Sequence, residues 1–181
     1  MSHNGFELDK YFKTDDLKKC SRFWIILFKT ILSKLYHWKI YVVGSVEYQY
    51  PNHLFQAGYF LDKKYYDENT IDFKHLLLSE KNQSLLKDIQ NSNSVGVHIR
   101  RGDYMTKQNL VIFGNICTQK YYHDAIRIIT EKVNDAVFYV FSDDISWVQT
   151  HLDIPNAVYV NWNTGESSIY DMYLMSSCKY N

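Results

Sequence analysis

Val95-Gly96-Val97-His98-Ile99-Arg100-Arg101-Gly102-Asp103-Tyr104 decides the architecture of this chain. Val95, Val97 and Ile99 alternate with Gly96, His98 and Arg100, the period-2 signal of a β-strand, here predicted over 94–100. Gly102 then admits a sharp turn, because without a Cβ it reaches positive φ at no steric cost. Two guanidiniums beside a turn at the carboxyl end of a strand stand where open α/β sheets bind phosphorylated ligands.

Downstream the pattern repeats as an alternation of helices and strands. Thr118 is a candidate N-cap for a helix over 119–133, whose Tyr122, Ala125, Ile126 and Ile129 share one face. Val137-Phe138-Tyr139-Val140-Phe141 is a continuous apolar run, as expected of a strand covered on both faces. Ser142-Asp143-Asp144 ends that strand and caps a helix over 145–152. Pro155 and Asn156 turn the chain into Ala157-Val158-Tyr159-Val160, and a polar loop leads to a last helix over 167–179. Such an order implies a parallel α/β sheet. The polar ends of its first two strands, 98–103 and 142–144, then lie on one sheet edge and are expected to converge on one crevice.

Upstream, Asn91-Ser92-Asn93-Ser94 gathers polar turn-formers between a helical pattern at 74–90 and the strand, and is read as a domain boundary. The preceding part, 1–93, reads as an entry loop over 1–13, a helix over 15–38, and short strands near 40–43, 46–50 and 53–60. Leu17, Cys20, Phe23, Trp24, Leu27, Phe28, Ile31 and Leu35 of that long helix recur at three- and four-residue steps, with lysines elsewhere. It suits a packed amphipathic helix first, with a basic helix lying on a membrane surface as the alternative.

Bulk properties narrow the classes. Basic and acidic residues both number 20, so the net charge is zero and nothing argues for a nucleic-acid partner. An anionic ligand must be held by a local arginine cluster. Cys20, Cys117 and Cys178 are far apart and show no ligand spacing, so a metal site is not expected. They fit a reducing cytoplasm, with peripheral attachment to the inner membrane face left open by the basic helix. The longest unbroken apolar run in the 23–38 segment, Phe23 to Phe28, is far short of the about 20 residues of a bilayer span. The 16 tyrosines suit sugar binding, because an apolar ring with a polar tip complements a pyranose, and suit core packing as well.

The string His98-Ile99-Arg100-Arg101-Gly102-Asp103 resembles the His-x-Arg-Arg-Gly-Asp motif of α-1,2-fucosyltransferases, glycosyltransferase family 11. Phe141-Ser142-Asp143-Asp144 with Ile145 and Trp147 is similar to that family's second block, and Asp171 to Lys179 to the start of its third. The resemblance implies a GT-B-like pair of Rossmann-type domains. Here it would comprise a partial acceptor-side α/β domain over 1–93 and the first half of the nucleotide-sugar domain over 94–181. The family's glycine-rich N-terminal block and its Phe-Ser-Trp-Trp block are absent, so the chain reads as an internal piece. A non-catalytic remnant or a nucleotide- or glycan-binding half-domain is the alternative.

The implied reaction moves L-fucose from GDP-fucose to the 2-hydroxyl of a terminal galactose, with inversion and without a metal or other cofactor. Arg100 and Arg101 are the candidates to stabilise the departing phosphate, with Asp103 orienting one of them. His98, Gly102, Ser142, Asp143 and Asp144 are candidate contacts to the nucleotide. His98 suits a buried structural histidine equally well, and Ser142 to Asp144 suits a plain helix cap. Strand alternation sends Arg100 and Arg101 to opposite faces, so that one reaches phosphate and the other holds the loop. No residue stands out as the base that takes the acceptor proton.

Overall fold

The computed structural model describes residues 8–13, 23, 27, 31, 41–44, 55–58, 72–113 and 116–181. The chain divides into two compact units, one spanning Leu8–Lys74 and the other containing His75–Asn181.

In the first unit a single helical turn, α1 (Leu8–Tyr11), occupies part of the expected entry loop. Phe12 is buried, bridges antiparallel to Phe73 and packs ring against ring with it at 4.6 Å. Strands β1 (Tyr41–Gly44) and β2 (Phe55–Gly58) pair in parallel, with Tyr41 opposite Phe55 and Gly44 opposite Gly58. They fall on two of the three predicted strand segments; the third, 46–50, lies outside the described residues. Of the predicted 15–38 helix only Phe23, Leu27 and Ile31 are described, and all three are helical and exposed.

The second unit begins with α2 (Glu80–Asn91), whose N-cap Ser79 accepts a hydrogen bond from the Asn82 amide. The division between units therefore falls before this helix, ahead of the boundary expected at Asn91–Ser94. Leu85 and Ile89 account for the difference, because they are buried against Tyr139, Phe141 and Val160 of the sheet that follows. Polar residues at 91–94 mark only a tight helix-to-strand turn.

That sheet holds β3 (Asn93–Ile99), β4 (Ala136–Ser142) and β5 (Ala157–Val160), all parallel and in that spatial order. Val95 pairs with Phe138 and Ile99 with Ser142, so β3 and β4 end level with each other. Between β3 and β4 lie α3 (Lys107–Phe113) and α4 (Gln119–Lys132). Helices α5 (Ile145–His151) and α6 (Ile169–Ser176) complete the unit. Alternation along β4 builds both cores. Phe138 and Val140 pack with Ile126, Val148 and Leu152 of the α4 and α5 region, while Tyr139 and Phe141 pack with α2 and Leu174 of α6. Burial on both faces bears out the reading of the apolar run at 137–141. Asp135 and Asn156, at φ 51° and 49°, make the turns into β4 and β5, as short polar side chains tolerate the left-handed region.

After α6 the chain returns to β3. Tyr180 bridges Val95 in parallel, accepts the Gly96 amide at 2.8 Å and donates its own to the Ser94 carbonyl at 3.1 Å. β3 thus has β4 on one edge and the Tyr180 segment on the other. The carboxyl ends of such parallel strands are where open α/β sheets hold their ligands.

Candidate active site

At the carboxyl end of β3 the chain forms the loop Arg100–Gly102 and a 3-10 turn, Asp103–Met105. Asp143, just past the level end of β4, grips this loop. Its Oδ1 accepts the Arg101 amide at 2.8 Å and its Oδ2 accepts the Gly102 amide at 2.9 Å. Ser142 adds a second tie: its hydroxyl donates to the Ile99 carbonyl at 2.6 Å and accepts the Asp144 amide at 3.0 Å. The two polar strand ends therefore do converge, through backbone hydrogen bonds to side chains.

Gly102 has φ −23° and ψ −88°, so positive φ is not the reason for a glycine here. Close approach is. A Cβ at this position would stand 2.7 Å from Asp143 Oδ2, well inside contact distance.

The arginines diverge as strand alternation predicts. Arg100 is exposed, and its Nε and Nη2 donate to Oδ1 and Oδ2 of Asp103, both at 2.9 Å. This bidentate hydrogen bonding holds the Asp103 carboxyl below its ordinary range and raises the Arg100 guanidinium. Arg101 turns to the other side, where its Nε donates to Asp144 Oδ2 at 3.3 Å and its Cζ lies 3.7 Å from the centre of the Trp147 ring. Asp144 is also the N-cap of α5, because its Oδ1 accepts the Trp147 amide at 3.1 Å.

These groups border a cavity of about 600 Å³ lined by His98, Arg100, Arg101, Tyr104, Tyr122 and Trp147 among others. Tyr104 stacks on Phe113 at 4.6 Å, giving the cavity an aromatic wall from α3. Burial pushes the Tyr122 phenol up to about 12, with Cys117 adding to the rise, so it stays a hydrogen-bond donor at neutral pH. Loss of hydration lowers His98 below the ordinary histidine range; Asp143 opposes the shift and Arg100 adds to it. Its imidazole is therefore neutral at pH 7, with a lone pair to offer.

Of the predicted site residues, His98, Arg100 and Arg101 line the cavity, while Gly102, Asp103, Ser142, Asp143 and Asp144 build the loop behind it. Trp147 carried a readable signal only through its place in the family's second block. Phe113 did not, since α3 falls in a stretch read as loop, and Tyr122 was read only as part of the apolar face of the 119–133 helix. A second polar cluster was also missed. Buried Asn82 accepts from Trp162 Nε1 at 2.7 Å and from Asn163 Nδ2 at 3.2 Å, and Asn163 Nδ2 also donates to Asp171 at 2.7 Å. Burial raises the Asp171 carboxyl to about 6. Among the described residues no group of three His, Cys, Asp or Glu side chains is placed to hold a metal ion. No helix among them is long and apolar enough to cross a membrane.

The family model for glycosyl transferase family 11 matches residues 10–181. Alpha-1,2-colitosyltransferase of Escherichia coli is 33% identical over 146 residues, covering 76% of this chain and 47% of that protein. The O-antigen biosynthesis glycosyltransferase WbnK of Escherichia coli is 42% identical over 93 residues, covering 51% of this chain and 31% of that protein. Galactoside alpha-(1,2)-fucosyltransferase 2 of Pongo pygmaeus is 26% identical over 113 residues, 59% of this chain and 33% of that protein. The chain thus spans less than half the length of these curated relatives. No solved structure matches it significantly.

Proposed function

The chain belongs to glycosyl transferase family 11, and on that premise we propose that it carries the donor side of an α-1,2-fucosyltransferase. The reaction is the inverting transfer of L-fucose from GDP-fucose to the 2-hydroxyl of a terminal galactose. One observation carries the reading: two guanidiniums border one cavity at the carboxyl edge of a parallel sheet.

The chemistry follows from charge. As the bond between C1 of the sugar and the β-phosphate oxygen breaks, negative charge gathers on the diphosphate. The acceptor oxygen meanwhile bonds to C1 from the opposite face and gives up its proton. Fixed guanidiniums stabilise the departing diphosphate most in the transition state, when its charge is greatest. Arg101 is held by Asp144 and Trp147 before any ligand arrives. Arg100 reaches phosphate by exchanging Asp103, an exchange favoured by the exposure of that ion pair, since exposed pairs are worth little. No metal is required in this scheme. On this reading the β3–β5 sheet belongs to the donor domain of a GT-B-like enzyme.

A second donor is favoured by the 33% identity to the Escherichia coli colitosyltransferase, which extends over more of this chain than the other relatives' matches do. Its name indicates a different sugar on the same linkage. Transfer assays on the chain and on its full reading frame, with GDP-fucose and GDP-colitose and a galactose-terminated acceptor, distinguish the two. Transfer of one sugar at least tenfold faster identifies the donor. Transfer of neither by the full frame overturns the proposal.

A further inference from the structure

We propose that Trp147 is a positioning residue, which together with Asp144 fixes the Arg101 guanidinium as a pre-set anion donor in the cavity. The inference rests on the nucleotide-sugar reading for the identity of the anion, and on geometry for everything else.

Asp144 and Trp147 act from one turn of one helix. One carboxylate oxygen of Asp144 caps α5 by accepting the Trp147 amide, and the other accepts Arg101 Nε. Three residues on, the Trp147 ring lies beneath the guanidinium, its centre 3.7 Å from Arg101 Cζ. A cap that is needed for the helix therefore also sets the distance between the carboxylate and the ring. The indole is itself supported. His151, one turn later, stacks on it at 4.6 Å and 13°, with Nδ1 2.9 Å from the Trp147 carbonyl. Gln119 from α4 donates to the His151 carbonyl at 2.6 Å.

This clamp occupies one face and one N–H of Arg101. Among the described residues Nη1 and Nη2 have no hydrogen-bond partner, although the side chain is only 20% exposed. They remain as donors for a ligand in the cavity that Arg101 lines. Arg100 contrasts in exposure and in its free donors: its side chain is 48% exposed, its Nε and Nη2 are both taken by a carboxylate three residues away on the same loop, and its Cζ stands farther from its aromatic neighbour, 5.1 Å from the Tyr104 ring centre. A long, flexible arginine loses much rotamer freedom when it is ordered. For Arg101 that loss is met in the fold, so ligand binding does not bear it.

Two measurements on the chain test this separately from the donor reading. The first is the side-chain Nε–H resonance of Arg101 in the ligand-free protein. It should be ring-current shifted and should exchange more slowly than that of Arg127, an exposed helix-surface arginine. The shift should vanish in Trp147→Leu and persist in Trp147→Phe. An Arg101 resonance indistinguishable from Arg127 overturns the clamp whatever the ligand. The second is GDP titration by calorimetry. Trp147→Leu should weaken binding about 5- to 30-fold, the span between a partly and a fully desolvated cation–π contact, with Trp147→Phe within about threefold of wild type. Loss of GDP binding in Arg101→Ala together with wild-type affinity in Trp147→Leu overturns the positioning role. A wild-type chain that holds Arg101 as described yet binds no GDP overturns the nucleotide reading, and the assignment of the clamp to it.

Discussion

Asp143 and Gly102 form a single device: the carboxylate accepts the glycine amide at 2.9 Å and occupies the space that a Cβ would need, 2.7 Å away. The same carboxylate also accepts the Arg101 amide, so it is pinned and cannot swing aside without losing both bonds. Asp143 thus acts on the site through the loop backbone that aims Arg100 and Arg101.

Gly102→Ala is expected to break this arrangement with little effect on the rest of the fold. Its GDP affinity should fall at least about tenfold, the effect of one lost charge-assisted hydrogen bond of about 1.5 kcal/mol. The transition midpoint should stay within a few degrees of wild type. Asp143→Ala should weaken GDP binding as well, since it frees the loop without a clash. Calorimetric titration beside a thermal scan decides the matter; Gly102→Ala binding GDP normally means the loop relaxes at no cost.

Removing either guanidinium should cost catalysis heavily. Arg100→Ala and Arg101→Ala are each expected to lower kcat/KM for transfer by about 10²- to 10³-fold, as for other preorganised donors facing a developing anion. Asp103→Asn should behave differently. It releases Arg100 from its bidentate partner, so GDP binding should be as tight as wild type or tighter. A marked loss of GDP affinity in Asp103→Asn would show that the pair must stay closed in the complex.

Much of this was readable in the residues themselves. Alternation at Val95 to Ile99, the two-faced apolar run at Val137 to Phe141 and the cap at Thr118 each follow from local chemistry, and each is found. The arginine loop was legible because consecutive strand residues must diverge. Other features depended on partners distant in sequence. Gly102 was read from its own backbone, but its need for a small residue comes from Asp143, 41 residues away. The helix at Glu80–Asn91 looked like part of the preceding domain, because nothing in 80–91 announces which sheet Leu85 and Ile89 will cover. Helix α3 has no buried residue and so left no periodic apolar signal.

Asn82 provides a stability test away from the arginines. It is buried, accepts from Trp162 and Asn163, and donates its own amide to Asn163 Oδ1 at 3.0 Å. Asn82→Leu keeps the branching of the side chain but leaves the Trp162 indole N–H and the Asn163 side-chain carbonyl without these partners. The expected loss is about 2–3 kcal/mol, set by the desolvation of orphaned polar groups. Urea unfolding measures it. A loss below about 0.5 kcal/mol would mean that water or a shifted side chain replaces Asn82.

Asp171 supplies the pH dependence, and its sign is unusual for a carboxylate. Burial raises it to about 6 in the folded chain, against about 4 when unfolded, and the hydrogen bond from Asn163 only partly opposes the shift. Between about pH 4 and pH 6 the folded state therefore binds the extra proton. Stability from this group is full below about pH 4, declines as pH rises through 6, and is flat above. Asp171→Asn keeps an acceptor for Asn163 and removes the titration. It should be more stable than wild type at pH 7.5 and equal to it near pH 4. Urea midpoints of the two proteins at both pH values make the comparison. A variant that gains nothing at pH 7.5 would show that Asp171 ionises in the fold as easily as in the unfolded chain.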